Sequence, residues 1–210
     1  MDVKSLAPEE AVKRRPFTSP DLYSHDYAVL SYLLEDLRGL FASPVVEPPL
    51  EVHQPIEWSV HGRKRRIVVC DLTALRSARR EMCVVGFFGE RHLDRDATPL
   101  EEANADLVLE FRNYPGILSY SSMELADGNW ANLVLHDRPE AREQWRASQR
   151  HADAATRLSP LFYRTVRIHN GVLPRGVAGR ARILIQRTKY WDFRGARTWQ
   201  AVRELQSISP

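Results

Sequence analysis

The sequence predicts an α+β fold built on a strand–helix–strand–strand–helix–strand unit between Cys83 and His169. Three observations carry that reading. CVVGFFG (83–89) is a short, continuously apolar run, the pattern of a strand covered on both faces. WANLVLH (130–136) and FYRTVRIH (162–169) alternate with the period of two that a half-buried strand requires. Two helical stretches lie between these strands and carry their own start signals. One opens at Thr98-Pro99 with Glu101 and Glu102 in its first turn, where carboxylates meet the positive end of the helix dipole, and the other opens at Pro139.

The remaining elements follow in chain order. Residues 1–18 are polar and proline-containing and read as a flexible arm. A helix starts at Ser19-Pro20 and carries Tyr23, Tyr27, Leu30, Leu34, Leu37 and Phe41 at helical spacing, weakening at Gly39. ASPVVEPPLEVHQP (42–55) holds four prolines and reads as an extended linker. IEWSV and IVVC, joined through His61-Gly62, form a hairpin, and a short helix around Leu72 to Arg80 closes an N-terminal extension spanning 19–82. Within the main unit, 83–170, the first helix presents Leu100, Ala103, Leu107 and Phe111 and ends at Tyr114-Pro115-Gly116. ILSYSSMEL and WANLVLH are joined by a turn at Asp127-Gly128. The second helix lines one face with Ala141, Trp145, Ser148, Ala152 and Ala155. Residues 171–210 then supply a glycine and proline loop, an extra edge strand in ARILIQRTKYW, and a tail.

Composition narrows the class. A chain of 210 residues that is 43% hydrophobic and 27% charged can bury a substantial core. No apolar run approaches the roughly 20 residues needed to span a bilayer. MDVKSLAPEEAVKRR lacks the apolar stretch of a secretory signal, which points to the cytoplasm. Cys70 and Cys83 stand apart from any CxxC or histidine spacing and read as two reduced thiols, so no metal site is expected. Net charge is +3, and only four of the thirty basic residues are lysine. The run HGRKRR (61–66) is a basic patch on a hairpin tip without aromatic stacking partners, which argues against a nucleic-acid groove. The N-terminal region also lacks the helix-turn-helix pattern of a DNA-binding regulator.

Strand alternation nominates the site. Ala131, Leu133 and Leu135 share one face of their strand, leaving Trp130, Asn132, Val134 and His136 on the other. In the last strand Val166 and Ile168 oppose Tyr163, Thr165, Arg167 and His169. With both apolar sets turned toward the two helices, Asn132, His136, Arg167 and His169 converge on one cavity. His136 and His169 are the candidate proton-transfer residues, and Trp130, Asn132, Tyr163, Arg167 and His151 the candidate ligand contacts. Each has a structural alternative: a strand-end histidine can hydrogen-bond a loop, Arg167 can form a subunit salt bridge, and Trp145 is explained by core packing. Gly86 and Gly89 lack the spacing of a phosphate loop.

This order of elements resembles the ferredoxin-like βαββαβ plan, and HDRPEAREQWRASQRHADAA (136–155) resembles the dimeric α/β barrel superfamily of antibiotic-biosynthesis and haem-degrading monooxygenases. Trp145 and Ser148 stand at that family's spacing, while His136 replaces its strand-end tryptophan, Ala155 falls where its haem-ligating histidine would stand, and CVVGFFG lacks its asparagine. The resemblance implies a homodimer closed through the free sheet face around a small aromatic or tetrapyrrole-like ligand. It also implies cofactor-independent or haem-related monooxygenase chemistry, with no permanent cofactor required. The alternative is a non-catalytic ligand-binding or oligomerisation scaffold.

Overall fold

Strand-forming residues recur along the chain, and every described strand joins one sheet. The computed structural model describes residues 3–42, 50–77 and 80–205. In chain order the elements are β1 (Lys4–Leu6), α1 (Leu22–Ala42), β2 (Pro55–Val60), β3 (Arg63–Val69), α2 (Leu72–Arg76), β4 (Met82–Arg91), α3 (Thr98–Glu110), β5 (Ile117–Glu124) and β6 (Trp130–His136). They continue with α4 (Pro139–Arg146), α5 (Gln149–Asp153), α6 (Ser159–Phe162), β7 (Tyr163–Leu173), β8 (Leu184–Asp192) and β9 (Trp199–Glu204). The sheet order is β1-β9-β8-β7-β4-β6-β5-β3-β2, so the fold is α+β. Its centre, β7-β4-β6-β5, is wholly antiparallel and has the spatial order of a βαββαβ unit.

The flanking strands enlarge that unit on both sides. On one edge β3 pairs with β5, and the β2–β3 hairpin turns at His61 and Gly62, both at positive φ (50° and 77°), as a two-residue primed turn requires. Much of the basic run is consumed internally, since Arg65 pairs with Asp36 and Arg66 with Glu57. On the other edge β8 and β9 extend the sheet, and β1 adds in parallel to β9. The segment read as a flexible arm is therefore tied down over its described residues. Buried Arg203 donates to the carbonyls of Ala7, Glu10 and Thr18 and to the Tyr190 hydroxyl, which holds the arm to the sheet. ARILIQRTKYW, expected at the edge, lies inside it as β8. Most of the proline-rich linker, residues 43–49, lies outside the described residues.

Both faces of the sheet are covered, by different helices. Leu30, Leu33, Leu34 and Leu37 of α1 pack with Ile67, Val84, Phe88, Leu133 and Leu135. On the opposite face Val108 of α3, the following Phe111 and Trp145 of α4 pack with Val68, Tyr120 and Val134. This reverses the expected orientation, because Ala131, Leu133 and Leu135 face α1 and not the helices of the βαββαβ unit. Alternation fixes which residues share a face; it does not say which helix covers them. The broad leucine stripe of α1 matches the more apolar face, and α3 and α4 take the more polar one. The face through which a homodimeric barrel was expected to close is occupied by α1.

The second long helix is also interrupted. Ser148 leaves the helical conformation, and its hydroxyl accepts the His151 N–H at 3.2 Å to cap α5. A π-helical turn at 154–158 and α6 follow before β7. No described helix is long and apolar enough to cross a membrane.

Gly86 marks where α1 seats on β4. A Cβ placed there would lie 2.7 Å from Leu30 Cδ1 and 2.8 Å from Leu30 Cδ2. Gly86→Ala should therefore displace Leu30 and cost about 1–3 kcal/mol, as overpacking of a filled core does. Chemical denaturation of the variant checks this, and an unchanged midpoint would contradict the close seating of α1 on β4.

Candidate functional site

Arg167 and His169 are two residues apart on β7 and so share a face, the one α1 covers. There they meet Asp26, a residue of the α1 stripe that sequence periodicity did not bring forward. Asp26 is fully buried and accepts hydrogen bonds from Arg167 Nε (2.7 Å) and Nη2 (2.8 Å) and from His169 Nε2 (2.9 Å). His169 Nδ1 lies 2.8 Å from the Thr188 hydroxyl on β8, and the Phe88 ring meets both the imidazole edge and the guanidinium. Burial pushes the Asp26 carboxyl up, but hydrogen bonds from His169 and Arg167 outweigh it and hold the group at about 2. Thr188, His169 and Asp26 line up as hydroxyl, imidazole and carboxylate, yet they are 2%, 2% and 0% exposed. No substrate reaches a hydroxyl so enclosed; the cluster fastens α1 to the sheet. A carboxylate on an otherwise apolar helical stripe was the sequence signal for it.

Asn132 and His136 lie on the opposite face, so the four residues expected to share a cavity are split by the sheet. Asn132 stands between Phe87 and Ser122 in register. His136 is 1% exposed, and its Nδ1 has no hydrogen-bond partner among the described residues. Burial, with Arg142 and His151 adding to it, lowers its pKa to about 4. His151 packs edge-on against Trp145 and also has an unpartnered Nδ1; burial and then Arg146 lower its pKa. Trp130 is half-buried at the end of β6 and lines a shallow cleft of about 320 Å³ with Glu57, Lys64 and Arg66. Tyr163 packs on Phe87, away from Arg167, because the β4–β7 register shifts at Glu90 and Arg91 and breaks the simple alternation. Burial raises its phenol pKa.

These positions do not fit a haem. The sheet face that would enclose one is filled by α1, His151 is packed against Trp145 on the other side, and Ala155 lies in the π-helical turn. Among the described residues no three His, Cys, Asp or Glu side chains are grouped to hold a metal ion. Cys70 and Cys83 are free thiols, and burial with the Asp71 charge pushes Cys70 up to about 12.

The arrangement with open access is a cleft of about 380 Å³ between α4 and the exposed part of β7 and β8. Arg142 and Arg146, one turn apart on α4, reach it from above, while Arg187 and Lys189 alternate on β8 below. Glu143 is shared between Arg142 (3.0 Å) and Arg146 (2.8 Å), and Glu204 pairs with Arg187 (2.5 Å). Lys189 has no ion pair among the described residues; burial and the charges of Arg146 and Arg187 lower its pKa. Asn170 contributes a buried amide nitrogen with no partner. None of the six basic and amide groups in this cleft, Gln186 included, was singled out from sequence, because arginines are so abundant that their spacing carries no signal.

No protein-family model and no curated protein matches the chain. Three solved structures are similar to parts of it. Protein SO0527 from Shewanella oneidensis is 15% identical over 45% of this chain and 93% of its own, with a TM-score of 0.38. SnoaB, a cofactor-independent oxygenase from Streptomyces nogalater, is 18% identical over 44% of this chain and 89% of its own, with a TM-score of 0.34. An aldoxime dehydratase is 15% identical over 71% of this chain and 37% of its own, with a TM-score of 0.30. Likenesses this low carry no activity across.

Two outcomes follow from the buried groups. Asp26→Asn leaves Arg167 without its counter-charge and should cost about 3–5 kcal/mol in equilibrium unfolding, the usual result of removing one partner of a buried pair. The second concerns pH. His136 has a folded pKa of about 4 against an ordinary value of 6.5, so the unfolded chain takes up the proton first as pH falls. Stability is then full above about pH 6.5 and declines toward pH 4, by roughly 2 kcal/mol at pH 5. Asp26 does not contribute in that window, since its own stabilisation is lost only as pH falls from 3.8 through about 2. His136→Gln should flatten the slope between pH 7 and pH 5, which urea titrations at the two values would detect.

Proposed function

We propose that the protein binds a small anionic molecule, bearing a carboxylate or phosphate, in the cleft between α4 and the β7–β8 surface. The observation that carries this reading is that Arg142, Arg146, Arg187 and Lys189 line one open, polar cleft. Four cations facing two carboxylates leave an excess of positive charge in a concave site, which concentrates anions. Guanidinium pairs also suit the planar or tetrahedral oxygens of carboxylate and phosphate. A volume of about 380 Å³ suits a small metabolite.

The oxygenase suggested by family resemblance is not the leading reading, because the dimeric barrel it belongs to would close through the sheet face that α1 covers. The small-molecule-binding part of that reading moves to the other face of the sheet. His136 stays beside the site through its neighbour Arg142, as a buried neutral imidazole.

Titration calorimetry with inorganic phosphate and with malonate at low salt should show binding that weakens as salt is raised. Arg146→Ala and Arg187→Ala should each weaken it at least tenfold, about 1.4 kcal/mol. Absence of binding by both anions, or an unchanged affinity in the Arg146→Ala/Arg187→Ala double variant, would reject the assignment.

A further inference from the structure

We propose that Lys189 is a reactive amine that captures the carbonyl carbon of a 2-oxo carboxylate held in this cleft. The inference rests on the anion-binding reading and adds a chemical role to one residue of it. Arginine dominates the basic residues of this chain, with lysine at only four of thirty positions. Lys4, Lys13 and Lys64 are exposed, and Lys4 is paired with Glu10. Lys189 alone is part-buried, and it stands in the cleft among three arginines. An arginine keeps its proton under all ordinary conditions, whereas a lysine amine can lose it and act as a nucleophile.

The surroundings make the Lys189 ammonium easier to deprotonate than an exposed one. In register Lys189 lies directly opposite Ile168 on β7 and Val202 on β9, so its stem runs between apolar neighbours. The carboxylate nearest in charge terms, Glu143, is already shared by Arg142 and Arg146. Burial and the adjacent guanidiniums of Arg146 and Arg187 both disfavour the ammonium form. The same guanidiniums would hold the ligand's carboxylate. In a 2-oxo acid the carbonyl carbon is bonded directly to that carboxylate, so anchoring the charge brings the electrophile to the amine.

The step balances without a further reactant. The Lys189 nitrogen forms a bond to the carbonyl carbon, and a proton passes from nitrogen to the former carbonyl oxygen. That hydroxyl then takes up the second proton of the nitrogen and departs as water, leaving a carbon–nitrogen double bond. No electrons are gained or lost, and the adduct is reversible by hydrolysis.

The test uses the full chain incubated with glyoxylate or pyruvate and then treated with cyanoborohydride, which reduces and traps the imine. Intact mass and peptide mapping should show one adduct, at Lys189, and inorganic phosphate should slow its formation severalfold. Lys189→Arg, verified as folded by its melting temperature, should give no adduct. Equal labelling of Lys4, Lys13 and Lys64, or an adduct that persists in Lys189→Arg, would overturn the proposal. No adduct in a protein that binds phosphate would also overturn it while leaving the anion site standing. Loss of both phosphate binding and adduct would overturn the site itself.

Discussion

The buried carboxylate of Asp26 fixes the packing decision from which the rest of the molecule follows, the seating of α1 on the β4–β6–β7 face. A charge removed from water needs compensation, and here it comes from Arg167 and His169, which alternation places side by side on β7. Apolar burial supplies the larger share of the driving force, at about 1.5–3 kcal/mol for each fully buried leucine. That force has no direction, however, and leucines alone would tolerate a helix slid along the sheet. The ion pair gives the contact one register. At the other end of the helix, Arg38 donates to the carbonyls of Val177, Gly179 and Ala181 and fixes α1 to the connection between β7 and β8.

With that face closed, the chemistry is left to the opposite one. There α3 and α4 cover only part of the sheet, around Val68, Tyr120, Val134 and His136. The strands added beyond β7 extend past the shelter of α4 and create the cleft floor. Without β8 there would be no Arg187 or Lys189, and without the short α4 there would be no wall of arginines above them. The extension of the sheet and the shortness of the helix are thus parts of one site. Buried His136 and half-buried His151 lie behind its wall, where the charges that line it act on them.

Much of the local structure was legible in the residues. Apolar runs, alternation, Thr98-Pro99, Pro139 and the Asp127-Gly128 turn placed β4, α3, β5, β6 and the starts of α4 and β7 close to where they are observed, and the Ser19-Pro20 signal placed α1. These features depend on backbone geometry over a few neighbours, which composition encodes directly. The site residues were less legible. His136 and His169 were expected to act together as proton-transfer residues, and both are buried, but on opposite faces of the sheet. Tyr163 was assigned its face by strict alternation, which one register shift against β4 undid.

The sequence by itself determined the strands and the first helix of the central unit, α1 and the β2–β3 hairpin, and, away from the register shift at Tyr163, which side chains travel together on each face, because those follow from the periods of two and 3.6 residues. Only the tertiary structure decided which helix covers which face, that the N-terminal arm returns to pair with β9, and that α4 and β8 meet at a cation-lined cleft. Each of those is a choice among contacts between segments far apart in the chain. Such choices are settled by the competition of whole apolar surfaces and by a few buried polar groups, and no local pattern records their outcome.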